Sequence, residues 1–191
     1  MKFNMGCGHH RLDGFVNVDS SPVAAADEVV DLEKTPWPWP DNCADEVVFN
    51  HSLEHMGAAS DTFLAIICEL YRICAHGAVV KINAPHPRHD NFIGDPTHVR
   101  IVTPQVMSLF DKAKNDEWKA SNIANTPFGH YLNVDFAMLS AVTVLDEPHS
   151  SLLKSGAIDK DEIVVRLRSQ NNVASEFRMT LEVRKPQVPA G

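Results

Sequence analysis

Short apolar runs broken by turn residues fill the first third of the chain. Lys2 to about Met5 predicts a brief strand ending at Gly6, and Phe15-Val16-Asn17-Val18 predicts a second ending at Asp19. The stretch between them is shorter than the dozen or more residues a full crossover needs, so any first helix is cut to about a turn. Val29-Val30 predicts a third short strand ending at Asp31. Ala44 to Asn50, with β-branched and aromatic residues at its centre, predicts a fourth. Between these two, Thr35-Pro-Trp-Pro-Trp-Pro-Asp-Asn42 carries prolines at alternate positions, which excludes a helix or a central strand. Trp37 and Trp39 on that loop either pack it onto the body or cover a bound ligand.

From Ser60, a possible N-cap, apolar residues recur at helical spacing through Phe63, Ile67, Leu70, Tyr71 and Cys74, and Gly77 is placed to stop the helix. Ala78 to Asn83 predicts a fifth strand. Ala84 to Val102, rich in Pro, His and Asp and without a period, predicts a long loop. Thr103-Pro104 has the form of an N-cap with proline at the first helical position, and Val106, Leu109 and Phe110 supply an apolar face. A polar loop at Ser121 to His130 precedes a sixth strand, predicted at Ser140 to Leu145. Asp159 caps a short helix running to Arg168, with Glu162 as its capping-box partner. Phe177 to Val183 alternates apolar and polar residues as an edge or antiparallel strand does. The order predicts an α/β fold: a Rossmann-like, mostly parallel twisted sheet of about seven strands with an antiparallel C-terminal strand and helices on both faces. One domain is expected over 1–185, with a ligand half at about 1–84, a loop at 84–103, C-terminal elements at 104–185 and a flexible tail at 186–191.

Composition changes this picture little. Of 191 residues, 44% are apolar and 22% charged, an ordinary globular balance. A formal net charge of −8 and the lack of a basic stripe argue against a nucleic-acid partner. Cys7, Cys43, Cys68 and Cys74 have no close paired spacing, as expected of reduced thiols in the cytoplasm. No signal-peptide pattern and no run of 18 apolar residues occurs, so no membrane partner is expected. A homodimer stays open.

Chemistry concentrates at the carboxyl ends of the predicted strands, where such sheets bind ligands. Gly6 and Gly8 bracket a tight turn that lets a ligand approach main-chain groups. Asp19 can accept hydrogen bonds from ribose hydroxyls and Asp31 from a base amino group, which together outline a nucleoside cleft. His51 and His55, four residues apart, could act as a base or as an anchor for an acceptor. The loop Pro85-His-Pro-Arg-His-Asp90 and Asp95-Pro-Thr-His-Val-Arg100 offers His86 and His98 as further catalytic candidates, and Arg88 and Arg100 as partners for a carboxylate or phosphate. His86, His89 and His98 with nearby aspartates could instead hold zinc or iron, the basis of an alternative reading as a metal-dependent hydrolase.

Phe3-Asn-Met-Gly-Cys-Gly8, Gly14-Phe-Val-Asn-Val-Asp19, Ala26-Asp-Glu-Val-Val-Asp31-Leu32, Trp39 to Val48, His51-Ser-Leu-Glu54-His55 and the Glu69-Leu-Tyr-Arg72 helix together resemble class I S-adenosylmethionine-dependent methyltransferases. The likeness is to the compact branch with a truncated first helix, and it covers about residues 1–110. It implies S-adenosyl-L-methionine as cofactor and methyl transfer to an acceptor, for which the lack of a basic tract favours a small molecule. Cofactor contacts then fall to Asn4, Gly6, Cys7, Gly8, Asp19, Asp31, Leu32, Asn50 and His51, and acceptor contacts to Trp39, Arg88, Asp95 and Arg100. Asn4 stands where the family usually has an acid and His10 where it has a third glycine. A non-catalytic protein that binds the same cofactor is therefore a third reading.

Overall fold

The computed structural model describes residues 1–186, so the rest of the tail expected to be flexible, 187–191, lies outside the described residues. Strands β1 (Lys2–Met5), β2 (Val16–Asp19) and β3 (Glu28–Val29) follow one another with no helix between them. Next come β4 (Ala44–Asn50), a 3-10 turn at Leu53–His55, α1 (Ser60–Ile73) and β5 (Cys74–Pro85). Four short helices, α2 (Asp90–Ile93), α3 (Pro104–Ser108), α4 (Lys112–Ala120) and α5 (Phe128–Tyr131), lead to β6 (Phe136–Leu145). Then α6 (His149–Ser155) and α7 (Lys160–Ser169) precede β7 (Ala174–Val183).

The strands form one seven-stranded sheet in the order β3-β2-β1-β4-β5-β7-β6, with helices flanking both faces. The first five strands pair in parallel, and β7 runs antiparallel to both of its neighbours. Strand β7 is therefore antiparallel but interior, and β6 forms the edge. Alternation reports only that one face is better buried than the other, which an inner antiparallel strand satisfies as well as an edge strand. Chain order reverses between β1 and β4, and a crevice opens beyond the carboxyl ends of strands at such a point.

Alternate strand residues build the core: Phe3 and Met5 from β1, Val47 and Phe49 from β4, Val80 and Ile82 from β5 are all fully buried. Helix α1 adds Phe63, Ile66, Ile67 and Leu70. The proline loop docks on this core rather than standing over it. Trp39 packs on Phe3 with ring centroids 4.8 Å apart, and its indole N–H donates to Glu28. Arg72 donates to the carbonyls of Trp37 and Trp39 while Glu69 accepts from the Trp37 amide.

Two helix ends differ from the sequence pattern. Helix α1 has no side-chain cap and stops at Ile73, and β5 begins at the next residue. Gly77 lies inside β5 at φ +80°, near where the β4–β5 register shifts, so its left-handed conformation serves a strand irregularity and not a helix cap. Helices α4 and α6 carry no apolar stripe that periodicity could find; α4 buries only Asn115 and depends on its Asp111 cap, which accepts from the Lys114 amide. The caps at Thr103 and Asp159 are present as expected.

Candidate functional site

A cleft of about 360 Å³ opens at the carboxyl ends of β1, β2, β3 and β4. Of the residues singled out in the sequence, Gly6, Gly8, Asp19, Asp31, Leu32, His51 and His55 line it. The two glycines differ. At Gly6 (φ +68°) an added Cβ would lie 2.5 Å from the Cβ of Ser52, whose hydroxyl donates to the Met5 carbonyl at 2.7 Å. At Gly8 (φ +51°) an added Cβ would meet nothing within 4 Å, so its open face belongs to the cleft. Asp19 closes the turn by accepting from the Gly8 amide at 2.8 Å and, through its other oxygen, from the Ser21 amide at 2.8 Å. A carboxylate has about four lone-pair sites, so it retains capacity for a ligand. Asp31 accepts from the Glu33 amide at 3.1 Å and pairs with Lys34.

Beneath the turn, a polar hub replaces the missing first helix. Buried Asn4 donates to the His10 carbonyl (2.8 Å) and to Asn17 Oδ1 (2.9 Å). Asn17 in turn accepts from the Leu12 amide and donates to Asp27, which also accepts from the Asn17 amide and pairs with Arg11. The Asn17 amide, then Arg11, then the Asn17 side chain hold the Asp27 carboxyl down to about 2. Asn4 and His10, the two departures from the family pattern, are thus joined by one hydrogen bond. Asn4 shapes the loop from below and does not itself line the cleft. Cys7 is likewise buried outside the cleft lining, where burial and then Asp19 push its thiol up. Asn50 accepts from Asn83 beside the cleft.

The opposite wall is a histidine rim. His51 sits at φ +52°, and its Nε2 lies 2.7 Å from Glu176 while its Nδ1 lies 3.6 Å from Glu54. Glu54 first and Glu176 next hold this imidazole above its ordinary value against the opposing effect of burial. Glu54 is fully buried, and neither of its side-chain oxygens has a hydrogen-bond partner. His55 packs edge-on against His98 with ring centroids 4.5 Å apart, and Glu54, His55 and His98 each bring one donor atom within 4.8 Å of the others. Ser52 falls within segment 50–55, which the family resemblance places at the cleft, whereas residue types alone gave no sign that Glu33, Met56 or Glu176 would meet here.

The remaining loop residues have other tasks. His89 lies 2.9 Å from Asp146 through Nε2 and accepts from the Asn91 amide through Nδ1. His86 accepts from the Arg88 amide and packs on Phe177, and burial pushes its imidazole down. His86, His89 and His98 therefore do not converge on one ion, which corrects that ligand set: each ring is fixed by a different neighbour. Arg100 donates to the Gly57 and Ala58 carbonyls and lies 4.8 Å over the Phe63 ring. Asp95 accepts from the amide and hydroxyl of Thr97 (2.8 and 2.6 Å), contacts that lower its carboxyl. Arg88 is exposed and lines no part of the cleft. Trp39, Arg100 and Asp95 are thus occupied within the protein rather than presented to the cleft, and Trp39 in particular is a core side chain.

No protein-family model and no curated protein matches the sequence. Solved structures do match over nearly the whole chain. A SAM-dependent methyltransferase from Archaeoglobus fulgidus superimposes with a TM-score of 0.63 at 16% identity, covering 95% of this chain and 85% of that one. The YcgJ protein from Bacillus subtilis gives 0.52 at 13% identity over 97% and 92%. The [4+2]-cyclase SpnF gives 0.54 at 16% identity over 97% and 75%. At these identities the likeness is one of fold, shared with structures that include a SAM-dependent methyltransferase. A protein titled as a cyclase shares it, so the fold alone does not set the reaction. Among the described residues no helix is long and apolar enough to cross a membrane.

Proposed function

We propose that the protein binds S-adenosyl-L-methionine and transfers its methyl group to a small-molecule acceptor. The observation that carries this reading is the meeting of Gly6, Gly8, Asp19 and Asp31 around one cleft at the switch point of the sheet. The residues suit the cofactor. Gly8 leaves an open face against which an amino-acid moiety can lie, Asp19 keeps lone pairs for ribose hydroxyls, and Asp31 with Leu32 offers a carboxylate and an apolar wall to an adenine. When bound, the cofactor supplies an electrophilic methyl group on a sulfonium.

The chain's own part is orientation, which by itself can supply much of a rate. Both ring nitrogens of His51 face carboxylates, so its role is to shape the cleft wall rather than to take a proton. His55 lines the same wall, beside the space left for an acceptor. A small acceptor agrees with the net charge of −8, which disfavours a nucleic-acid partner; the cleft itself falls in the roughly 300–1,000 Å³ range of ligand sites.

Calorimetric titration with S-adenosylhomocysteine tests the reading. Saturable binding is expected, weakened at least ~10-fold in Asp19→Ala, in line with the loss of a bond to a charged group. No binding by the folded wild-type protein overturns it.

A further inference from the structure

We propose that Glu54, His55 and His98 form a divalent transition-metal site at the rim of the cleft, of the kind that takes zinc. Their donor atoms already lie within 4.8 Å of one another. Ligands held 2.0–2.2 Å from a tetrahedral zinc lie roughly 3.4 Å apart, so the widest gap closes by about 1.4 Å, within reach of side-chain adjustment. Two histidines and one glutamate are a set that zinc accepts in sites with an open fourth position.

Three features of the surroundings point the same way. Glu54 is fully buried and neither oxygen makes a hydrogen bond; its one ionic neighbour, the His51 imidazole, stands 3.6 Å from Oε1 and leaves Oε2 free for a metal ion. His98 donates its Nδ1–H to the Phe92 carbonyl at 3.1 Å, which leaves the lone pair on Nε2. The Thr97 hydroxyl donates to Asp95, so its oxygen accepts from His55 Nδ1–H at 2.9 Å, which again leaves the lone pair on Nε2. Outer partners of this kind orient imidazoles that bind metals and make them better donors. Asp95 and Thr97 thereby gain a role that hydrogen bonding within an exposed loop would not require. His55 also lines the cleft, so the remaining coordination position adjoins the ligand space.

The site rests on its own geometry and not on methyl transfer. Untagged protein is stripped with a chelator and titrated with zinc chloride by calorimetry, in the absence of nucleoside. One zinc per chain is expected. Glu54→Gln and His98→Ala weaken it at least ~100-fold, Thr97→Val weakens it about 10-fold without touching the ion, and His86→Ala leaves it unchanged. Bound cobalt, used as a second probe, gives visible absorption that Glu54→Gln abolishes. Glu54→Gln and Thr97→Val keep side-chain volume, so their melting curves separate unfolding from loss of a ligand. Wild-type protein that melts cooperatively but binds no stoichiometric zinc overturns the site. So does zinc binding undiminished in Glu54→Gln, or lost in His86→Ala. Either failure leaves S-adenosylhomocysteine binding standing, and absence of that binding leaves the metal standing.

Discussion

The two walls of the cleft are built on opposite terms. On the turn side, Asn4, Asn17, Asp27 and the Gly8 amide are tied to named partners, and the chain there has no helix to hold it. On the rim side, Glu54 is buried without a hydrogen bond, with His51 no nearer than 3.6 Å, beside two rings whose outer nitrogens are fixed. A satisfied polar network fixes a shape. An unsatisfied one stores binding capacity, because a group that lacks a partner in the protein has a stake in finding one from outside. The difference separates residues that hold the loop from residues available to a ligand, and single substitutions can break or sharpen it.

The largest effect is expected at Gly6. A methyl group there meets Ser52 at 2.5 Å on a backbone with φ +68°, so Gly6→Ala should lower unfolding stability by roughly 3 kcal/mol, read by urea titration. Gly8→Ala should cost about 1 kcal/mol for its left-handed backbone alone, while S-adenosylhomocysteine binding falls sharply. Equal stability losses at the two positions would erase the distinction between a closed glycine and an open one. Asn17→Ala, which strands Asn4 and Asp27, is expected to cost about 2 kcal/mol. Glu54→Gln in metal-free protein should change stability by less than about 1 kcal/mol, since it gives up only the 3.6 Å contact with half-exposed His51 and removes a buried charge. A loss at Glu54 as large as that at Asn17 would mean that the two walls are built alike.

The smallest effect concerns acid. Asp27 is held down to about 2 from an ordinary 3.8. A depressed carboxyl stabilises the fold above its unfolded value and loses that contribution as pH falls toward its folded value. Between pH 4 and 2, Asp27→Asn should therefore show a shallower decline in melting temperature than the wild type. An unchanged slope would remove Asp27 from the network that holds the turn.

Much of the cleft was legible because strand ends are local features. Val18-Asp19 and Met5-Gly6 each announce a strand and its terminus within a few residues, and the parallel sheet brings such termini to one edge. Trp39 stayed open in the sequence because an aromatic ring on a proline loop reads the same whether it covers a ligand or fills the core, and its contact with Phe3 bears out the packing alternative. The loop histidines misled for a related reason. His86, His89 and His98 are neighbours in sequence, but a loop without a period has no rule for where its side chains point. Glu176, 125 residues from His51, lies outside any local pattern.

By itself the sequence determined the strands of the parallel half, the two glycines, the carboxylates at strand ends and the proline punctuation, because periodicity and backbone permissiveness act over a few residues. Only the tertiary structure decided that β7 lies inside the sheet, that Asn4 and His10 meet, and that Glu54 is buried against His55 and His98. Those are facts of long-range packing. Whether a polar side chain is satisfied or left wanting depends on neighbours that the chain brings together only when it folds.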